Sequence, residues 1–290
     1  MNPVLKAAIW MIGAIASFST MAVAGREVSF ALDTFEIMLF RSFVGVVIVI
    51  AAASVFGTWH QVNRQQFSLH FARNIMHFIG QNLWFYAVTV IPLAQVFALE
   101  FTSPIWVILL SPFLLGERIT LIRAIAALMG FIGVLIVTRP DMAGINTGVM
   151  MAASSAIFFA FTIIFTKRLT RTQSITCILF YLTVLQLIFG FLSAGYDGDI
   201  ALPDAETLPW LILIGVAGLL AHFCITNALA IAPATVVVPI DFVRLPVIAI
   251  IGMLVYGEAL DLWVLLGAGI IFAGNYLNIW SETRGSTTLK

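Results

Sequence analysis

Charge is scarce in this chain. Of 290 residues only 14 are Lys or Arg and 14 are Asp or Glu, so the formal net charge is zero. No basic tail or patch exists to meet a phosphate backbone, which excludes nucleic acid as a partner. Cysteine is nearly missing as well. Cys177 and Cys224 both sit in apolar runs, with no CxxC and no histidine cluster nearby. That argues against a disulfide framework or a metal site and reads as two buried thiols behaving as small hydrophobes. Also absent are GxxxxGK[ST], GxSxG and HExxH. Without them neither ATP-driven pumping nor the familiar hydrolytic chemistries have support, and the expectation is a chain that is not an enzyme and has no cofactor.

What the chain has in abundance is apolar surface. Hydrophobic residues make up 61% of it and the mean hydropathy is +1.08, far beyond what a water-facing surface tolerates. Ten apolar runs, near 4–24, 34–56, 71–90, 93–115, 120–138, 145–167, 174–194, 207–229, 234–256 and 260–281, are each long enough to cross a bilayer as a helix. Lipid offers no hydrogen bonds to an open backbone, so runs this long and continuous must be helical. The fold class expected is an all-α membrane protein of ten transmembrane helices. The first run, with Lys6 ahead of it and Ala22-Val23-Ala24 near its end, imitates a signal peptide; it is longer than a typical signal core and is read as a retained span.

One segment occurs twice. Pro92 to Gly116-Glu117 returns as Pro233 to Gly257-Glu258, shifted by 141 positions, and the same shift carries Ala87 onto Ala228, Glu100 onto Asp241, Phe101 onto Phe242 and Gly133 onto Gly274. A duplicated unit follows, with halves at 1–140 and 141–290. Each half holds five spans, an odd number, so the second enters the membrane from the opposite side. Two inverted five-helix repeats are the construction of many secondary transporters, with the solute site near the midplane where the halves meet. Lys6, Arg64, Arg73, Arg118, Arg123, Lys167, Arg168, Arg171, Arg284 and Lys290 fall on the side of the termini, against Arg26 and Arg139 opposite. This bias places both termini in the cytoplasm. The loop 195–209 carries Asp197, Asp199, Asp204 and Glu206 with no basic residue; its Tyr196-Asp197-Gly198-Asp199 resembles a fragment of an intramembrane protease motif, but the acids are adjacent in a loop and read as a solvated turn.

Ionisable groups inside apolar spans are expensive and need partners. There are four: Arg41, Glu100, Asp241 and Arg244. Equal depth suggests Arg41 paired with Glu100 across spans 2 and 4, and spacing of three suggests Asp241 paired with Arg244 on one helix. His77, Gln81 and Trp84 recur along one face of span 3, and the shift maps Gln81 onto His222 and Tyr86 onto Asn227, so these positions are expected to meet around a shared cavity. His222 and Asp241, at similar depth, form a conceivable pH-sensitive pair. Phe159 is a candidate aromatic wall. Each of these residues could equally serve helix packing alone. Pro104 and Pro112, with Pro239 and Pro246, are expected to kink spans 4 and 9, and Gly130, Gly133, Gly267, Gly269 and Gly274 to form close-packed faces in spans 5 and 10.

Ten spans, a five-plus-five inverted repeat and the doubled Pro…Gly-Glu pattern resemble the EamA family of the drug/metabolite transporter superfamily, and within it the YddG-type exporters of aromatic and other neutral amino acids. That resemblance implies a multi-pass protein of the bacterial inner membrane, alternating access about a central cavity, and export of small-molecule substrates. The partners expected are that substrate and membrane lipid, with monomer and dimer both left open by the glycine faces. A zwitterion would take a cation, Arg244 or Arg41, for its carboxylate, an acid, Glu100 or Asp241, for its ammonium, and Trp84 and Phe159 for its side chain. An amphipathic drug cation could use the acids and aromatics alone. A membrane enzyme would need a catalytic cluster at one interface, and a channel a continuous polar stripe; neither pattern is present.

Overall fold

A computed structural model describes residues 2–116, 119–138, 147–196, 198–258 and 262–285. Glu117, Arg118, Arg139, Asp197 and Lys290, which entered the sequence reading, lie outside the described residues. The described residues are all helix and connection, without a strand: α1 (Pro3–Val28), α2 (Thr34–Val55), α3 (Phe67–Val90), α4 (Leu93–Glu100), α5 (Ser103–Leu114), α6 (Leu121–Thr138), α7 (Thr147–Leu169), α8 (Ile175–Ala194), α9 (Leu208–Ile231), α10 (Ala234–Ile240), α11 (Arg244–Tyr256) and α12 (Leu262–Gly285). Among the described residues seven spans, α1, α2, α4 with α5, α7, α8, α9 and α10 with α11, are long and apolar enough to cross a membrane, against the ten expected of the whole chain. α3 falls short because its sequence carries His70, Arg73, Asn74, His77 and Gln81, all buried inside the bundle. The least apolar helix is thus the one turned inward.

The helices start and stop where their sequences provide caps. Asp33 accepts from Phe35 and Glu36 N–H while Glu36 returns a bond to Asp33 N–H, a capping box that starts α2. Gly116 and Gly257 take φ of +69° and +65°, the left-handed region in which a side chain is strained. At Gly257 this turns the chain so that Glu258 N–H reaches Gly252 O at 3.1 Å, ending α11. The glycine of each Gly-Glu pair is therefore a helix stop.

Spans 4 and 9 are not single kinked helices, as the prolines suggested, but are each broken. A proline has no N–H for the carbonyl four residues back and its ring clashes with it. Pro104, in the first turn of α5, has no N–H for the carbonyl of Glu100, the last residue of α4; Pro246 acts on Phe242, in the 3-10 turn Asp241–Val243 between α10 and α11. Both breaks fall on the repeat-related acids.

Packing follows the repeat as well. The shift carries α1 onto α7 and α3 onto α9, and α1 packs along α9 while α3 packs along α7; α2 lies on α8, and α6 on α12. Of the expected glycine contacts, Gly130 fits closely against Phe242 and Gly274 against Met129 and Ala126, while Gly269 has open space where a side chain would be.

Candidate functional site

Where the two breaks approach α1, α3, α7 and α9, the bundle encloses a cleft between them. Eight of the expected residues line it: His77, Gln81, Trp84, Glu100, Phe159, His222, Asp241 and Arg244. Among the residues joining them are Phe18, Met21, Arg73, Phe101, Ser103, Thr162, Thr166 and Ile225. The lining is paired by the repeat: Phe18 with Phe159, Met21 with Thr162, Gln81 with His222, Trp84 with Ile225, Glu100 with Asp241, and Ser103 with Arg244 all stand 141 positions apart. The shift applied to Phe159 would have found Phe18 in the sequence. Arg73 was counted only as a charge at the membrane edge, yet it is 1% exposed and faces the cleft.

The charged centre is a triad. Arg244 donates to Glu100 Oε1 at 2.5 Å and to Asp241 Oδ2 at 2.6 Å, so one guanidinium is shared by the acids at the two breaks. Its carbon lies 4.9, 4.8 and 5.2 Å from the ring centres of Phe18, Phe97 and Phe101, a cage that favours a cation. Trp84 Nε1 donates to the second oxygen of Glu100 at 2.7 Å. The expected Arg41–Glu100 pair does not form. Arg244 reaches Glu100 because the broken helices present both acids to it, and Arg41 instead donates to Gln81 Oε1 and lies outside the cleft, in a smaller adjoining space that His222 also borders.

Asn227 is likewise not part of the cleft. At 3.6 residues per turn it points about 140° away from His222 on the same helix, and its amide donates to Phe223 O one turn back. Nor does His222 pair with Asp241. It stands edge-on to His77, ring centres 4.5 Å apart, and to Phe18 at 5.8 Å. Both ring nitrogens of His77, Nε2 of His222, Oδ1 of Asp241 and Nε of Arg244 are buried without a protein partner. Buried polar atoms in proteins are nearly always satisfied, so these five leave room for water or a polar solute to bond within the cleft.

Polar contacts stand at both ends of the cleft. Beyond the Trp84 end, Arg26 at the foot of α1 pairs with Glu258 at 2.6 Å, donates to Ile91 O at 3.2 Å and lies over the Tyr256 ring at 4.9 Å. At the other end, Lys167 follows the cleft residue Thr166 and donates to Leu229 O and Ala232 O at 2.6 and 2.7 Å. Lys167 and Ala232 are the repeat counterparts of Arg26 and Ile91, so each half ties its first helix to its own Pro92-type turn.

The sequence profile of the EamA-like transporter family matches residues 5–139 and matches again at 146–280. The chain belongs to the EamA-like transporter family. It is 30% identical over 288 residues to a riboflavin transporter of Vibrio cholerae, covering 97% of this chain and 95% of that one. It is 26% identical over 291 residues to an S-adenosylmethionine uptake transporter of Rickettsia felis, with 98% and 97% covered. A chain of known crystal structure shares the fold at a TM-score of 0.78 and 18% identity, over 96% of this chain and 98% of its own length. These EamA relatives make the protein a multi-pass membrane transporter of small metabolites and not an enzyme. The relatives named here carry a vitamin and a nucleoside-derived cofactor, and amino acid export does not appear in their names.

Proposed function

We propose that this EamA protein is a secondary transporter of the inner membrane, with both termini cytoplasmic, whose inverted halves 1–140 and 141–290 rock about the cleft and expose it to each side in turn. The observation that carries the proposal is the paired lining: repeat-related residues from both halves surround one space, with Glu100 and Asp241 at matched helix breaks sharing Arg244. A solute lodged there touches both halves, so relative motion of the halves moves the mouth and leaves the solute in place. Arg26 and Glu258 belong to different halves, and their bond holds the Trp84 end shut; substrate in the cleft competes with that closure by favouring one arrangement over the other.

The substrate class best supported is a neutral, flat heterocycle. Trp84 and Phe159 line the cleft with aromatic rings, and the unpartnered histidine nitrogens offer hydrogen bonds to a polar ring edge. Riboflavin, named for one relative, has this chemistry. Export of aromatic amino acids is the competing reading. Arg244, already neutralised by two acids, is poorly placed to bind a carboxylate, and Arg73 is the cation that keeps the reading open. Purified protein in liposomes should move radiolabelled riboflavin in a saturable way without ATP. Tryptophan moving instead selects the amino acid reading, and a protein that moves neither, nor S-adenosylmethionine, ends the proposal.

A further inference from the structure

Two buried arginines of the first half have no acid beside them among the described residues. Arg41 is 7% exposed and Arg73 is 1% exposed, and no carboxylate lies within ion-pair distance of either among the described residues. Arg73 donates only to Thr166 Oγ1 at 3.2 Å and to Asn74 Oδ1 at 3.1 Å; Arg41 donates to Gln81 Oε1 and to Met38 Sδ. Buried charge of this kind is costly to keep without a partner. Packing would be served as well by an apolar side chain at either position. The repeat supplies no counterpart cation, since the shift carries Arg41 onto Leu182 and Arg73 onto Ile214. Even the room for Arg41 is particular to this half. A side chain at Gly218, the counterpart of His77, would lie 2.5 Å from the Arg41 guanidinium.

The Arg41 contact also decides which way Gln81 points. A guanidinium has donors and no acceptor, so the Gln81 oxygen must face Arg41. The amide nitrogen, with no protein partner, is then left to the cleft. Arg73 stands two turns before Gln81 on α3 and faces the same space, about 12 Å away along the axis. The α3 wall therefore presents donors, with Arg73 in the cleft and Arg41 behind Gln81 as cations, facing a triad in which two acids share one guanidinium.

We propose that the cleft selects its substrate by an acceptor-rich edge, carbonyl or carboxylate oxygens, docked on the Gln81 amide, with Arg73 further along the same wall to meet a second acceptor and Arg41 as a positioning residue that turns Gln81 into a donor. This rests on the transporter reading and narrows it. It favours the dicarbonyl ring edge of a flavin or the carboxylate of an aromatic acid over a cationic solute such as S-adenosylmethionine.

The test measures binding of riboflavin, indole-3-acetate and S-adenosylmethionine to the purified full chain in nanodiscs, for wild type, Gln81→Glu, Arg41→Met, Arg41→Lys and Arg73→Met, each with a melting curve. The Gln81→Glu side chain keeps the bond to Arg41 but presents an oxygen to the cleft, so affinity for the preferred acceptor ligand should fall about 10-fold or more. Arg41→Met frees the amide to turn and should weaken binding about 3- to 10-fold, with Arg41→Lys restoring it. A merely structural arginine would lower melting and binding together; here Arg41→Met should melt at or above the wild-type temperature while binding poorly. Arg73→Met should cost indole-3-acetate more than riboflavin if a carboxylate is the natural edge, and the reverse if a carbonyl is. Wild-type binding with unaltered affinities in Gln81→Glu and Arg41→Met overturns this inference alone. Tightest wild-type binding of S-adenosylmethionine overturns it too, and failure to bind any of the three overturns it together with the substrate reading above.

Discussion

Breaking the Arg26–Glu258 bond should open one end of the cleft. The pair is 2.6 Å long and its side chains are 16% and 22% exposed, so it is better shielded than a surface ion pair, and Arg26 keeps its bond to Ile91 O within its own half when Glu258 is removed. A partly shielded charge-assisted contact of this sort contributes about 1–2 kcal/mol, which shifts a two-state equilibrium roughly 5- to 30-fold. The additional contact from Leu93 N–H, 3.4 Å from the Glu258 carboxylate, adds little at that length. Leu93 lies directly under the latch and is fully buried, which makes Leu93→Cys a reporter of opening. Labelling by a membrane-impermeant maleimide tracks the open population when closing outpaces modification. Adding Glu258→Gln should speed that labelling by the factor above, high salt should speed it less, and the exchange Arg26→Glu with Glu258→Arg should slow it again. Cys177 and Cys224 are buried and serve as the silent background. Equal labelling with and without Glu258, or no rescue by the exchange, would refute the latch.

Other substitutions test the centre and its limits. Arg244→Met leaves Glu100 and Asp241 buried without their shared cation and should destabilise the protein by about 3–5 kcal/mol, seen as a large drop in melting temperature in detergent; the double change with Glu100→Gln should recover part of it. Trp84→Phe keeps the ring but removes the 2.7 Å bond to Glu100, and should cost about 1–2 kcal/mol of stability together with weaker substrate binding. Asn227→Ala removes an amide bonded within its own helix and turned away from the cleft; transport should stay within about 2-fold of wild type, since surface changes of this kind rarely exceed ~0.5 kcal/mol, and a larger loss would move the boundary of the site.

Much of the site was legible because duplication writes the same information twice. Glu100 and Asp241, or Gln81 and His222, stand out as polar residues in apolar spans at a constant shift, and both pairs meet in one cleft. Partnership was less legible. Depth along a helix suggested Arg41 for Glu100, but depth says nothing of the direction in which a side chain leaves its helix, and the guanidinium of Arg244 reaches Glu100 instead. Arg73 was overlooked for a related reason: an arginine near a helix end looks like a cytoplasmic anchor until neighbouring helices are known to bury it.

From the sequence alone came the helical class, the membrane as solvent and the constant 141-position shift that the doubled family match agrees with, because apolar run length and internal repetition are properties of the chain read in one dimension. Tertiary structure alone decided that one arginine serves both acids, and that Arg41 turns toward Gln81 while Asn227 turns away. Those outcomes depend on helix rotation and on which donors can reach which acceptors across the bundle, and a distance in space between two side chains is not encoded in their separation along the chain.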